Sequence, residues 1–485
     1  MAPMMQPPLD DALRNAFKKH LKYYPHFDAP ISVRAALFLV TDPEAVARNP
    51  FFPLLRYEQR WQPFRSASCG RPPPKIRPIS FASRRDAYIY WYYRRLLAEE
   101  FEKKLVDRGL ESSVIAYRSV VDPDTGKGLT NIQFAANAFR FIRTTGSCTA
   151  IALDIKSYFD TLDHARVRET WCRLLGRESL PSDHYAVFKQ LTSYRIIQIQ
   201  KIYRRLGIIG PVPNSDPPRE GYLVSRADMK TQLCSPARLR EIIANEPSIV
   251  EKNWNRYGIP QGTPISDLIA NAYLLDFDEW ASAYARTRRG YYVRYSDDIL
   301  IVLPETSLDV SKLEREFSEE LAKYGDQIKL KTKKTVVVEF MSGTNITRRR
   351  SKAGWVSNED GLEYLGFRFD GRHVWLRNST ISRLQRKLVS SVRSTVRNYI
   401  GKACEDGWPR AKAMANYNTS AAISRHMKKP IADFDFKDPT TWTFETYLRR
   451  AILESADFEG DMRQQVESLP AIASRAKRSA FDKYW

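Results

Sequence analysis

The chain has 485 residues, 43% of them hydrophobic, enough for two or three domains or one large multi-lobed enzyme and too apolar for a disordered chain. Its 77 lysines and arginines outnumber 56 acidic residues, and the formal charge of +21 argues for a polyanionic partner, nucleic acid first. Five scattered cysteines (Cys69, Cys148, Cys172, Cys234, Cys404) form no Cys-x-x-Cys pair, no apolar run approaches the ~20 residues of a membrane span, and no secretory leader opens the sequence, so a zinc knuckle, a disulfide framework and a membrane partner are not expected and a cytoplasmic location is.

Residues 1–70 are aromatic and proline-punctuated, with a short amphipathic start around Leu13 to Tyr24, and suggest no chemistry. Arg71 to Ser80 reads as a stiff, extended basic strand carrying Lys75 and Arg77, followed by a helix from about Arg84 to Leu105. Tyr88, Tyr90, Trp91, Tyr92 and Tyr93 recur on that helix, where aromatics more often form core than stack on bases. Thr125-Gly126-Lys127-Gly128 lacks the glycine and hydroxyl spacing of a phosphate loop and is a surface turn.

Ala150 to Leu153 is a buried strand that ends abruptly at Asp154, which places the carboxylate at a sheet edge facing a cleft. His164 and Gly258 are separated by more chain than one helical connection needs, including a proline-rich excursion from Gly207 to Gly221. Gly258-Ile-Pro-Gln-Gly-Thr-Pro-Ile-Ser266 is a glycine-proline loop that lets backbone approach a ligand, entering a helix from Asp267 to Leu275. Two β-rich runs in Tyr291 to Leu303 flank a four-residue polar tip and read as a buried hairpin carrying Asp297 and Asp298. Neighbouring carboxylates between buried strands repel one another and call for protons or a divalent cation.

A charged helix from Leu308 to Tyr324 precedes Lys334 and a strand to Phe340; residues 341–361 read as a polar basic loop, and Tyr364 to Phe369 starts a strand pair. Arg372 to Lys429 holds 13 basic and two acidic residues. Ile381, Leu384, Leu388, Val392, Val396 and Ile400 recur at helical spacing and leave Arg383, Arg386, Lys387, Arg393 and Arg397 on other faces, a one-signed track suited to nucleic acid. Residues 430–485 are helical in pattern and carry no motif.

Asp154, Gln261-Gly262, Tyr295-Ser-Asp297-Asp298, Lys334 and Tyr364-Leu365-Gly366 follow one another in an order that resembles the palm of reverse transcriptases over roughly residues 71–370. The resemblance implies an α+β right-hand polymerase. Residues 1–148 would form the N-terminal region and fingers, 149–370 the antiparallel palm with an insertion at about 165–257, and 371–485 a basic, mostly helical thumb and extension. It further implies that Asp154, Asp297 and Asp298, with the backbone carbonyl of Ile155, hold two Mg2+ ions, which Mn2+ could replace. Lys75, Arg77, Gln261, Gly262 and Lys334 would bind the nucleotide, Phe159 would reject a 2′-hydroxyl, and Tyr364, Leu365 and Gly366 would grip the primer. Lys75-Ile-Arg-Pro-Ile, Asp86-Ala-Tyr-Ile-Tyr and Asp154-Ile-Lys-Ser-Tyr-Phe-Asp look most like the bacterial stand-alone enzymes of antiphage and abortive-infection defence. The partners so implied are an RNA template, in that group a dedicated noncoding RNA, a DNA product and deoxynucleotides, with homo-oligomerisation left open. Template-independent or protein-primed synthesis stays open within the family, and a catalytically silent RNA-binding module outside it.

Overall fold

In the computed structural model, residues 11–61, 73–122, 126–213, 218–225, 227–341, 361–427 and 443–485 are described in full, and 344–351 and 354–358 by their backbone. Arg71, Pro72, Cys69, Thr125, Pro217, Lys428 and Lys429 lie outside the described residues. The architecture is α+β. The N-terminal helix is confined to Asp11–Lys18, shorter than the amphipathic pattern suggests.

β1 (Leu54–Trp61) pairs antiparallel with β2 (Lys75–Phe81), with Trp61 opposite Lys75. The Lys75 to Pro78 half of β2 is exposed. α1 (Arg84–Asp107) starts where Ser83 accepts the Asp86 N–H, and it buries Tyr88, Tyr90, Trp91 and Tyr93, so these aromatics are core. α2 (Asn131–Thr145) opens on a Thr130–Gln133 capping box. Then come β3 (Cys148–Asp154), α3 (His164–Leu175), β4 (Arg195–Gln198) and β5 (Val250–Lys252). β4 runs parallel to β1, and β5 closes a sheet of order β2-β1-β4-β5. The 165–257 insertion thus returns to complete a sheet begun by residues 54–81. The excursion after Gly207 is a short hairpin, Ile209–Pro211 against Glu220–Tyr222.

α4 (Ser266–Tyr273) stands where the helix Asp267 to Leu275 was expected; the chain breaks at Leu274 and continues in a further helix, α5 (Leu275–Thr287). β6 (Tyr291–Tyr295), β7 (Asp298–Leu303), β8 (Val336–Met341), β9 (Thr344–Ser351) and β10 (Gly354–Asn358) join β3 in a six-stranded antiparallel sheet of order β10-β9-β8-β3-β7-β6. The loop expected at 341–361 is therefore mostly a strand pair. The free edge of β8 supplies hydrogen-bond partners to β9, from Val336 opposite Arg349 to Met341 opposite Thr344. β11 (Leu362–Tyr364), β12 (Phe367–Phe369) and β13 (Val374–Leu376) form a separate small sheet.

Both faces of the large sheet are covered, which is why its strands read as apolar runs without alternation. Ile151, Leu153, Ile299, Ile301 and Leu303 pack into the main core with α1, α3, α4 and α5. Ala150, Leu300, Val302, Val338 and Phe340 pack into a second core with α2 and the small sheet. α6 (Asn378–Glu405) buries the stripe read from the sequence: Ile381 packs into the second core, and Leu384, Leu388, Val392, Val396 and Ile400 into a third core shared with α7 (Leu469–Tyr484). No helix among the described residues is long and apolar enough to cross a membrane.

Candidate active site

β3 and β7 lie side by side near the middle of the large sheet, and their register sets Asp154 opposite Asp298. The Ile155 N–H then donates to the Asp297 carbonyl at 3.1 Å, so all three aspartates come to one end of two neighbouring strands. The hairpin tip is shorter than the four polar residues expected: Tyr295 pairs with Asp298, which leaves Ser296 and Asp297 as the turn. Ser296 takes a left-handed conformation (φ 61°). Four of the six non-glycine residues with positive φ among the described residues, Tyr117, Ser157, Ser296 and Leu365, belong to segments around this site, a clustering typical of functional centres.

The turn is braced from below by a side chain that the motif alone does not reveal. Arg294 is fully buried on β6 and gives both oxygens of the equally buried Asp278 a hydrogen bond, at 2.6 and 2.5 Å. Its remaining N–H groups reach the Ser296 carbonyl at 3.0 Å and the Asn271 carbonyl at 2.9 Å, while Tyr292 donates to Asp278 at 2.7 Å. Burial works against the guanidinium charge, but Asp278 more than offsets it and the arginine stays ionised. The turn bearing Asp297 is thereby tied to α4 and α5. The sequence signal was an arginine inside an otherwise apolar strand.

Electrostatically the three carboxylates are in conflict. Burial raises Asp297, Asp154 raises it further, and Lys334 and Arg77 oppose. Asp298 is pushed up to about 6 by burial, then by Asp297 and Asp154, against Lys334 and Arg377. Lys334 Nζ lies 2.5 Å from Asp154 Oδ2, and Lys75 is driven down by burial and by the charges of Lys334, Arg377 and Lys331. A ring of cations thus surrounds the aspartates; Lys331 and Arg377 were not among the residues expected there. Arg377 is placed by its N–H to the Gly366 carbonyl (2.9 Å) and by its ion pair with Glu363 (3.0 Å).

The glycine loop joins these parts. The Gln261 carbonyl accepts the Ser80 N–H at 2.8 Å, and a Cβ on Gly262, whose φ is 111°, would stand 2.6 Å from the Ser80 carbonyl oxygen. Only glycine lets the loop lie against β2, which carries Lys75 and Arg77. Arg77 stacks over Trp61 at 5.4 Å. Ile259 N–H donates to the Phe159 carbonyl at 2.8 Å and fixes the half-buried Phe159 beside the loop. Leu365 (φ 45°) and Gly366 (φ 97°) make the tight turn between β11 and β12, held by Asn131 Nδ2 on the Leu365 carbonyl at 3.0 Å. Tyr364 is buried and its hydroxyl has no partner among the described residues; burial drives its pKa far up, with Asp298 among the charges that add to this. Arg383, Arg386, Lys387, Arg393 and Arg397 are all exposed along α6, and none contacts the aspartate site among the described residues.

Three carboxylates supply the hard oxygen donors that Mg2+ or Mn2+ takes, and the raised Asp297 and Asp298 are groups whose charge a cation would stabilise, so the donor chemistry fits. Among the described residues no three acidic, His or Cys side chains are closed into a metal-holding group, and Asp154 Oδ2 faces Lys334.

No protein-family model and no curated protein matches the chain. Solved structures similar to it include apo telomerase from Candida tropicalis, 12% identical, covering 97% of this chain and 70% of that one at a TM-score of 0.37. Another is telomerase from Candida albicans in complex with a TWJ fragment of telomeric RNA, 10% identical, covering 93% of this chain and 65% of that one at 0.36. Similarity at this level carries no weight, and the functional reading rests on the site.

Proposed function

We propose that the chain is a reverse-transcriptase-type nucleotidyltransferase that copies RNA into DNA. The observation that carries the reading is the register of Asp154 against Asp298, with Asp297 bonded through its carbonyl to Ile155 and a cationic ring around all three. Asp154, Asp297 and Asp298 would hold two Mg2+ ions, which when bound supply Lewis-acid neutralisation of the attacking and leaving oxygens of phosphoryl transfer.

The chain's own residues do the rest. Lys75, Arg77 and Lys334 attract and orient the triphosphate; the Gln261–Gly262 backbone lines the nucleotide pocket, and Phe159 fills the space of a 2′-hydroxyl. The Leu365–Gly366 turn, fixed by Asn131 and Arg377, positions the primer end. The exposed cations of α6 track the nucleic-acid backbone. On the resemblance alone the proposal extends to antiphage defence with a dedicated noncoding RNA.

Incubating purified protein and its co-purified RNA with labelled deoxynucleotides and Mg2+ should give a polymer whose sequence is complementary to that RNA. A product unrelated to the RNA would instead mean template-independent synthesis, and tight RNA binding with no product in Mg2+ or Mn2+ a silent module. Phe159→Ala should raise ribonucleotide incorporation; unchanged selectivity would move the gate to another residue.

A further inference from the structure

A second charged site lies deeper along the helices that leave the active-site loop. α3 begins at His164, whose ring nitrogen meets the Gly258 carbonyl at 2.8 Å, and Arg173 stands nine residues further along, about 14 Å at the rise of an α-helix. There α1, α3, α4 and α5 enclose a cavity of about 180 Å³ whose wall includes Lys104, Arg108, Thr170, Arg173 and Asp276, over an apolar floor.

Its charge is unbalanced. Asp276 alone is shared by Arg108 (2.7 Å), Arg166 (3.1 Å) and Arg173 (2.7 Å). Arg108 also reaches Glu279 at 3.1 Å, and Arg166 and Arg173 reach Glu169 at 3.8 Å, but these two acids are 56% and 55% exposed and share their charge with water. Lys104, half-buried in the same wall, has no ion-pair partner among the described residues. Thr170 is 4% exposed, and among the described residues its hydroxyl makes no hydrogen bond, neither to the helix carbonyl that threonines in helices usually find nor to a neighbour. A buried hydroxyl without a partner, set among cations that outnumber their carboxylates, is a donor set waiting for an anion.

We propose that this cavity binds the phosphate group of a small ligand. Guanidinium forks match phosphate oxygens, Lys104 adds a mobile charge, and Thr170 supplies a neutral donor. The volume is below the roughly 300–1,000 Å³ of sites that engulf a whole organic ligand, so one or two phosphate groups fill it. The shared chemistry admits two sources, free inorganic phosphates or the terminal phosphate of a nucleotide whose remainder stays outside. An occupied cavity ties α1, α3 and α5 together and stiffens α3, which starts at His164 against the Gly258 carbonyl of the glycine loop.

The full-length protein, without divalent cations, is titrated calorimetrically with inorganic pyrophosphate and in parallel with dATP, and its crystals are soaked in tungstate. Lys104→Gln should weaken pyrophosphate about tenfold and Thr170→Val several-fold, the effect of losing one charged or neutral contact to a charged ligand. Both variants should keep the wild-type melting temperature without ligand, and tungstate density should appear between the two side chains. A matching loss for dATP assigns the nucleotide source, and a loss confined to pyrophosphate assigns the free anion. Wild-type affinity for both ligands in both variants, with tungstate only among Lys75, Lys331 and Lys334, would overturn the proposal. Lys104 is half-exposed and Thr170→Val keeps shape, so at least one variant reports on a folded protein.

Discussion

At the sheet's end, charge is held by other charge: Asp154 by Lys334, Asp278 by Arg294, and Asp297 and Asp298 by Lys334, Arg77 and Arg377. Along α6 five cations stand in water on a helix whose opposite stripe is packed. Both regions would face nucleic acid, but their surroundings differ: Arg294 and Asp278 are fully buried and Asp154 and Asp297 half-buried among cations, whereas the α6 cations stand exposed and apart from the aspartates. A buried charge interacts strongly and specifically with a few partners, whereas an exposed one is screened and acts by number. Substitutions should therefore give large, distinct effects at the sheet and small, additive, salt-dependent ones on α6.

The widest separation is expected from Asp297→Asn with Asp298→Asn. Removing both carboxylates should lower synthesis by on the order of a thousandfold or more, because several kcal/mol of transition-state charge stabilisation depend on the ions they hold. Circular dichroism and RNA affinity should stay at wild-type values, since neither side chain belongs to a core cluster. Synthesis near the wild-type rate would remove the chemistry from this site altogether.

Arg294→Met comes next. It leaves Asp278 buried beside Tyr292 with no counter-charge and frees the Ser296 carbonyl, a loss of about 3–5 kcal/mol in denaturant unfolding. Adding Asp278→Leu should recover much of that stability without recovering activity, because the turn bearing Asp297 stays unbraced. Full activity in the double variant would show that the brace is dispensable.

The pH response should also tell the regions apart. The folded pKa of Asp298 is about 6, above its ordinary value, so between roughly pH 4 and 6 the folded state holds more protons than the unfolded one. Stability from this group is therefore greatest in acid and is lost as pH rises through 6. In cation-free buffer, Asp298→Asn should stabilise the protein relative to wild type at pH 7 and have no such advantage at pH 4, and in wild type metal-dependent synthesis should fall below pH 6. Parallel melting curves for both proteins across that range would refute the assignment.

The smallest expected effect belongs to α6. Changing Arg386, Lys387, Arg393 and Arg397 to glutamine keeps helix propensity and the buried stripe, so folding should be unchanged. The slope of log affinity against log salt should shrink by roughly two to three units, with shorter products, since each phosphate contact to a single strand contributes about 0.7. An unchanged slope would mean that this face meets solvent or protein.

The contrast extends to what could be read in advance. The apolar stripe of α6 was legible at every turn, from Ile381 to Ile400, because helical period is fixed by the backbone. The strands ending at Asp154 and beginning at Asp298 were equally plain as apolar runs closed by a carboxylate. The misreading fell where partners decide: Thr344–Ser351 reads as a loop in isolation and is a strand because β8 offers an edge, and the helix after the glycine loop is followed by a second one that the sequence reading did not anticipate.

By itself, then, the sequence determined which residues carry charge, which segments repeat at helical or strand period, and that three aspartates close short strands or turns. Only the tertiary structure decided that Asp154 faces Lys334, 180 positions away, that Arg294 reaches through the core to Asp278 and the Ser296 carbonyl, and that residues 195–198 return to pair with β1. The reason is physical. Periodicity comes from the geometry of adjacent residues, whereas the energy of a buried charge depends on which distant elements become its neighbours.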